Sequence, residues 1–380
     1  MESVNISWGS DSDFDCQIKK LNNDFKTILE ITSHIDKKAP LISINDNKLD
    51  DSQEQPLEVN NLVMFTDDYG SINEWALLGF TNNILRSNKL NVKNVWLNNP
   101  PLSIYNDIKR TFSDDIIKEG KPDYEILNIE KLKAIADGYE SQIIGQKNVI
   151  VKILQSIYSL KNANRKKPVA ILFLGDSGVG KTETAKYINS FLKGEMVRIQ
   201  FSMQQTNEAY NYIFGAKHGE NCLARDLIRR KSNVILFDEF DKVHQSLFNA
   251  FYQMFDEGVF VDTNYSVNIE KSIIICTTNY KSEQEAENKL GSPIYSRFSK
   301  IIVFNPISIE NKKIIAENNY NEIYSQLDDD DKNHIKDNHI LKDFHSYISK
   351  GYYKNMRMLK NDIEDAINYE ILVARKIIDS

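Results

Sequence analysis

The segment Gly175-Asp176-Ser177-Gly178-Val179-Gly180-Lys181-Thr182 has the residue types and spacing of a phosphate cradle. Its glycines let backbone N–H groups turn inward around a β-phosphate, and a helix N-terminus behind them adds positive potential. In this pattern Asp176, Ser177, Gly178, Val179 and Gly180 wrap the phosphates. Lys181 reaches the β- and γ-phosphates, and the Thr182 hydroxyl binds Mg²⁺. The flanks suit the task, because the apolar run Val169–Leu174 leads in and Glu183 to Leu192 can continue as a helix. The ligand expected here is a nucleoside triphosphate.

A second apolar run, Val234-Ile-Leu-Phe, ends in Asp238-Glu239. A buried strand ending this way puts two carboxylates at the edge of the sheet where the phosphate loop also lies. Asp238 is expected to hold the Mg²⁺ hydration shell, and Glu239 to polarise the attacking water as general base. Together the two segments predict metal-dependent hydrolysis. A third run, Ile273-Ile-Ile-Cys276-Thr277-Thr278-Asn279, ends in polar residues. If it lies between the other two strands, Asn279 sits beside the γ-phosphate and orients water; alone, an Asn at a strand end is more often a turn residue. Cys276 reads as a small buried apolar residue.

These runs are short and wholly apolar, as expected of parallel strands covered on both faces, and helical patterns separate them. The expected fold is α/β, a phosphate-loop core with a parallel sheet flanked by helices. From Ser308 only helical periodicity remains, with Leu359, Ile363, Ala366, Ile367, Ala374 and Ile378 forming one stripe of a long last helix. Ahead of the core, Leu41–Ile44, Leu62–Phe65 and Val92–Leu97 are apolar runs, the last two reading as strands with Ser71–Arg86, which contains Gly79, as an amphipathic helix between them. Ser10–Asp15 and Asp46–Gln55 read as polar loops, and Pro100-Pro101 as a break. The division expected is residues 1–125 as an N-terminal α/β accessory domain, 126–308 as the α/β core and 309–380 as a helical lid.

The 380 residues are 41% hydrophobic and 27% charged, enough for a sizeable core and against a mainly disordered chain. No apolar run approaches the roughly 20 residues of a membrane helix, and Met1 to Asp15 is acidic rather than signal-like. Cys16, Cys222 and Cys276 have no paired spacing, so a soluble, reduced, cytoplasmic protein without a membrane partner is expected. The net charge of −7 is uneven: residues 1–125 carry 21 acids and 13 bases, and the remainder 33 acids and 34 bases. Neither part has the basic excess that drives binding to a phosphate backbone, so nucleic acid is disfavoured as a partner.

Ile143-Ile144-Gly-Gln146, the two phosphate motifs, Phe240-Asp-Lys-Val-His244, Asp256-Glu-Gly-Val-Phe-Val-Asp262 and Thr277-Thr-Asn279 follow one another in an order that resembles AAA+ ATPases of the Clp type. The likeness runs over about residues 126–380 and is greatest to the second ATPase module of Clp disaggregases and to torsins. It implies that Ile143 and Ile144 line an adenine pocket and that Asn279 is a sensor-1 residue. Arg297, in Ser292-Pro-Ile-Tyr-Ser-Arg-Phe-Ser299, is implied as the arginine finger offered to a neighbouring subunit, and Arg357, in Asn355-Met-Arg-Met-Leu-Lys360, as sensor 2 on the lid. The implied cofactors are ATP and Mg²⁺. A finger given in trans implies a ring of copies, six being the family's usual number.

The chain departs from Clp unfoldases at the loop that grips a peptide in their pore. Here Phe214-Gly-Ala-Lys217-His218-Gly219-Glu-Asn-Cys-Leu223 is shorter and has no aromatic after Gly219, a lack shared with torsins. Lys217 and His218 read as solvated loop residues, and His218 has no partner at metal-ligand spacing. Asp328–Asp331 reads as a solvated lid loop, and Arg165-Lys166-Lys167 as a surface loop. The leading expectation is ATP-driven remodelling of a protein or protein complex. The alternative is an ATP-gated oligomeric switch regulating an effector through residues 1–125 without threading, and behind both stands a nucleic-acid loader or motor.

Overall fold

The computed structural model describes residues 1–36, 56–162, 164–203, 208–215, 217–335 and 339–379. The apolar run Leu41–Ile44 and the expected loop Asp46–Gln55 lie outside these.

The central sheet contains β6 (Val169–Leu174), β7 (Val197–Gln200), β8 (Val234–Asp238), β11 (Ile273–Thr277) and β12 (Lys300–Val303), all parallel in the order β12-β6-β11-β8-β7. A two-stranded hairpin of β9 (Val259–Val261) and β10 (Ser266–Asn268) stands apart from it. Every residue of β6, β8 and β11 is buried, which explains their unbroken apolar runs. Helices cover both faces, and burying each large aliphatic side chain is worth about 1.5–3 kcal/mol. The edge strands β7 and β12 are only half-buried and carry Arg198, Gln200 and Lys300.

The C-terminal region is helical: Ile309–Gln326, Asp329–His334, His339–Ser349 and Met356–Ala374. They pack through Ala316, Tyr320, Phe344, Ile348, Leu359 and Ile363. Two expectations need correction here. Asp328–Asp331 is not a loop: Asp328 caps the helix Asp329–His334 by accepting from the Asp331 N–H at 2.7 Å, and Asp330 and Asp331 bind Arg375 at 2.8 and 2.6 Å. Carboxylates suit a helix N-terminus, where they meet unpaired N–H groups. The last helix ends at Ala374, so Ala374 and Ile378 are exposed and Ile371 takes the next buried place in the stripe.

Residues near the N-terminus form a second all-parallel sheet, β2-β3-β4-β1-β5, of β1 (Ser3–Ser7), β2 (Lys26–Thr27), β3 (Leu57–Met64), β4 (Leu90–Asn98) and β5 (Ile117–Gly120). The segment expected as one helix over Ser71–Arg86 divides at Gly79 into an α-helix, Glu74–Leu78, and a π-turn, Thr81–Leu85. The break turns Phe80, Ile84 and Leu85 into the core and leaves Leu78 exposed. Among the described residues no helix is long and apolar enough to cross a membrane.

The two sheets are joined near the short loop around Gly219. Asp67, following β3, accepts from Arg225 and from Arg229, the latter at 2.5 Å, and Asp11 pairs with Arg229 at 3.1 Å. Arg225 also clips the loop by donating to the carbonyls of Gly219 and Glu220 at 2.8 and 3.1 Å. The Leu102 N–H donates to the Asn264 carbonyl at 2.7 Å, and Arg230 lies 4.2 Å over the Tyr124 ring. Gly219, at φ +93°, comes so close to Gly70 that a Cβ would stand 2.6 Å from the Gly70 Cα. Gly219→Ala is therefore expected to cost more in denaturant unfolding than Gly351→Ala, which also replaces a left-handed glycine (φ +82°) but in open space. The left-handed conformation alone costs about 1–2 kcal/mol, so equal losses would show that the Gly70 contact carries nothing.

Candidate active site

At the carboxyl edge of the central sheet lies a cavity of about 670 Å³. One wall is the loop after β6. Gly178 and Gly180 adopt φ of +81° and +102°, conformations that suit glycine and turn the chain sharply into the helix Lys181–Asn189. A Cβ on Gly178 would stand 2.7 Å from Asn355 Oδ1, so the loop is closely backed by the start of the last helix. The strap Gln146 fixes the loop from below, donating to the Val179 and Asn305 carbonyls at 3.3 and 2.8 Å.

Lys181 is buried at the bottom of the loop, its Nζ donating to the carbonyls of Gly175 and Asp176 at 2.6 and 2.7 Å. Burial lowers its pKa to about 8, against the opposing pull of Asp238, Asp241 and Asp176. Thr182 lines the same space.

The opposite wall is built by three neighbouring strands. Asp238, at the end of β8, is 6% exposed, and both its oxygens are bonded. Oδ1 accepts from the Thr277 hydroxyl on β11 at 2.5 Å, and Oδ2 accepts from Arg198 Nε and Nη2 on β7 at 3.0 and 2.5 Å. Glu239 follows at φ +56°, rare for a residue with a side chain and a form of strain that clusters at functional sites. Its N–H donates to Thr277 Oγ1 at 3.1 Å, and its Oε2 accepts from Gln200 Nε2 at 3.3 Å. Since β11 lies between β6 and β8, Thr278 and Asn279 also reach the cavity.

Ile143 and Ile144 line the cavity ahead of the loop, while the C-terminal helices contribute Ile315, Met356 and Arg357. Of the residues singled out in the sequence, Ile143, Ile144, Ser177, Gly178, Val179, Gly180, Lys181, Thr182, Asp238, Glu239, Asn279 and Arg357 are thus brought together. Two are not. Asp176 contributes its carbonyl to Lys181, but its side chain turns to Lys281, 3.6 Å away, and does not line the space. Arg297 is also outside this cavity, bound to Asp256 at 2.7 Å and stacked 4.1 Å over Tyr252. Arg198, Gln200 and Thr277 carry no role in the sequence reading, because the edge strand that bears the first two mixes polar and apolar residues and gives no buried-strand signal.

The hard oxygens of Thr182 and Asp238 face the same polar space as the phosphate loop. This donor set fits Mg²⁺ held jointly by protein and phosphates.

Residues 166–339 match the AAA domain (Cdc48 subfamily). A chaperone protein ClpB of Staphylococcus epidermidis is 30% identical over 224 residues, covering 50% of this chain and 26% of that protein. The chaperone protein ClpB 2 of a Nostoc species is 26% identical over 278 residues, covering 64% and 32%. The chain therefore spans about a third or less of the length of these relatives. In fold it is similar to Hsp104 in a closed-state reconstruction with ATPyS and FITC casein (TM-score 0.55, 21% identity, covering 80% of this chain and 56% of that one). It is also similar to an S. cerevisiae Hsp104-ADP complex (TM-score 0.52, 24% identity, covering 64% and 48%).

The Lys181 environment predicts a proton signature. Near pH 8 about half of the empty sites hold neutral lysine. Bound phosphate favours the ammonium and raises its pKa, so binding takes up protons there and weakens as pH rises further. Calorimetry of ADP binding at pH 8 in buffers of differing ionisation enthalpy should show uptake of up to about half a proton; no buffer dependence would contradict this placement of Lys181.

Proposed function

On the premise that the chain carries a Clp-type AAA+ ATPase domain, we propose that it hydrolyses ATP and couples turnover to remodelling of a protein or protein complex. The observation that carries this reading is the convergence of Lys181, Thr182, Asp238, Glu239 and Asn279 on one cavity that Arg357 also lines. Residues 1–125 act as the accessory domain, 126–308 as the ATPase core and 309–380 as the lid.

In this mechanism the loop from Ser177 to Gly180 wraps the β-phosphate with its N–H groups, and Ile143 and Ile144 hold the adenine. Lys181 leaves the carbonyls of Gly175 and Asp176 for the β- and γ-phosphates, where its full charge is restored. Thr182 and Asp238 would hold Mg²⁺, which would supply positive charge to the phosphates. Glu239 takes the proton of the attacking water, and Asn279 orients that water. Arg357 moves with the lid. Arg297 acts on the adjoining copy's γ-phosphoryl, and its place outside its own cavity is compatible with that role. Its partner Asp256 must then release it on assembly into a ring.

The joint between the sheets favours the second reading, an assembly switch that signals through residues 1–125. The segment Lys217–Leu223 has no aromatic and is instead clipped by Arg225 against the front sheet. It also connects β7 to β8, the strands bearing Arg198, Gln200 and Asp238, so motion at the phosphates is passed to the front domain rather than to a threaded peptide.

Lys181→Ala should abolish nucleotide binding, while Glu239→Gln should bind ATP normally and lose hydrolysis by about 10²–10⁴-fold. Robust turnover by Glu239→Gln would remove Glu239 from its role. In material trapped by Glu239→Gln, one stoichiometric partner lost on deleting contacts at Asp67 supports the switch; assorted unfolded chains support remodelling. Adding Arg297→Ala protein should poison wild-type turnover if the finger acts between copies, and leave it unchanged if it does not.

A further inference from the structure

We propose that Arg198, to which neither its sequence context nor the domain match gives a role, reads the terminal phosphate and lets the site distinguish a nucleoside triphosphate from a diphosphate. This rests on the proposed nucleotide site and adds a specificity-determining residue to it.

Arg198 is on the edge strand β7, and its side chain crosses to β8 to bond Asp238 Oδ2 through Nε and Nη2. Among the described residues no hydrogen bond is recorded for its Nη1. The side chain is 41% exposed, against 8% for Asp238, and it lines the cavity. Its guanidinium is thus held by one edge and open on the other, and a planar fork held this way is suited to an anion in the open space.

The sheet order decides which phosphate it meets. The loop that wraps the β-phosphate follows β6, whereas Arg198 belongs to β7, at the other side of β11 and β8. With strands about 4.8 Å apart, β7 stands roughly 14 Å from β6. A diphosphate ends near the loop; the added γ-phosphoryl extends toward Asp238, Glu239 and Asn279, where the open edge of Arg198 lies. The bond to Asp238 serves the same end, since it holds a long, flexible side chain in place before nucleotide arrives and lowers the entropy lost on binding.

A purely structural ion pair is the competing account, and the two separate by comparing ligands. ATPγS and ADP are titrated calorimetrically into wild type, Arg198→Met and Arg198→Lys, in the presence of EDTA so that metal binding does not enter. The expected result is a Kd for ATPγS raised about tenfold in Arg198→Met with the Kd for ADP changed less than about twofold, and partial recovery of ATPγS binding in Arg198→Lys. Parallel weakening of both nucleotides, or no change in the ratio of their Kd values in either variant, overturns the proposal. Wild type that binds neither nucleotide would instead overturn the nucleotide site itself. If Arg198→Met does not fold, the ratio in Arg198→Lys decides alone, because a lysine cannot present the second edge of the fork.

Discussion

The site depends on keeping one carboxylate, Asp238, buried and bonded at both oxygens at the end of a parallel strand. An uncompensated buried carboxylate costs several kcal/mol, so the carboxylate needs partners that the fold itself must deliver. Thr277 delivers one from β11 and Arg198 the other from β7. Register fixes both: Cys276 is paired with Phe237, which brings Thr277 level with Asp238, and Gln200 is paired with Asp238 itself. The same Thr277 oxygen accepts the Glu239 N–H and so holds the next residue in its strained left-handed turn. A shift of one residue in β11 would break the Thr277 bonds to Asp238 and Glu239, and a shift in β7 the Arg198 bonds to Asp238.

Much of the core was legible because its central strands are covered on both faces. Val169–Leu174, Val234–Phe237 and Ile273–Ile275 stand out as apolar runs, and the glycines of the loop mark the turn that follows the first. The strands β7 and β12 were not legible, since half-exposed edges with Arg198, Gln200 and Lys300 have neither an apolar run nor a strong alternation. With β7 missing, Arg198 and Gln200 could not be placed beside Asp238 and Glu239, because cross-strand neighbours depend on a register that no local pattern encodes. The same limit applies at Ser71–Arg86, where spacing suits one helix but tertiary packing of Phe80 and Ile84 selects a π-turn after Gly79. In Asp328–Asp331 a run of like charge suggests solvation, yet a helix N-terminus and Arg375 absorb it.

The front and central sheets meet through charges and backbone, with Trp8 packed against the cores of both. Asp11 and Asp67 lie beyond the carboxyl ends of β1 and β3, the edge where open parallel sheets commonly take ligands, and here they take Arg225 and Arg229 of the core. Those arginines belong to the stretch that runs from the shortened loop into β8. The front sheet is therefore attached to the chain segment that ends at Asp238, which gives a short covalent and ionic path between it and the cavity. In the proposed assembly switch this joint is where the state of the cavity would reach the front sheet.

The central claim is that Mg-ATP is broken at a cavity whose last cation comes from a second copy. It is tested most directly by phosphate release per chain measured against protein concentration at saturating Mg-ATP. Turnover should be low in dilute protein, rise as copies associate and reach a plateau. Absence of phosphate release at every concentration would contradict hydrolysis, and turnover per chain independent of concentration in a protein that stays monomeric would contradict the shared site.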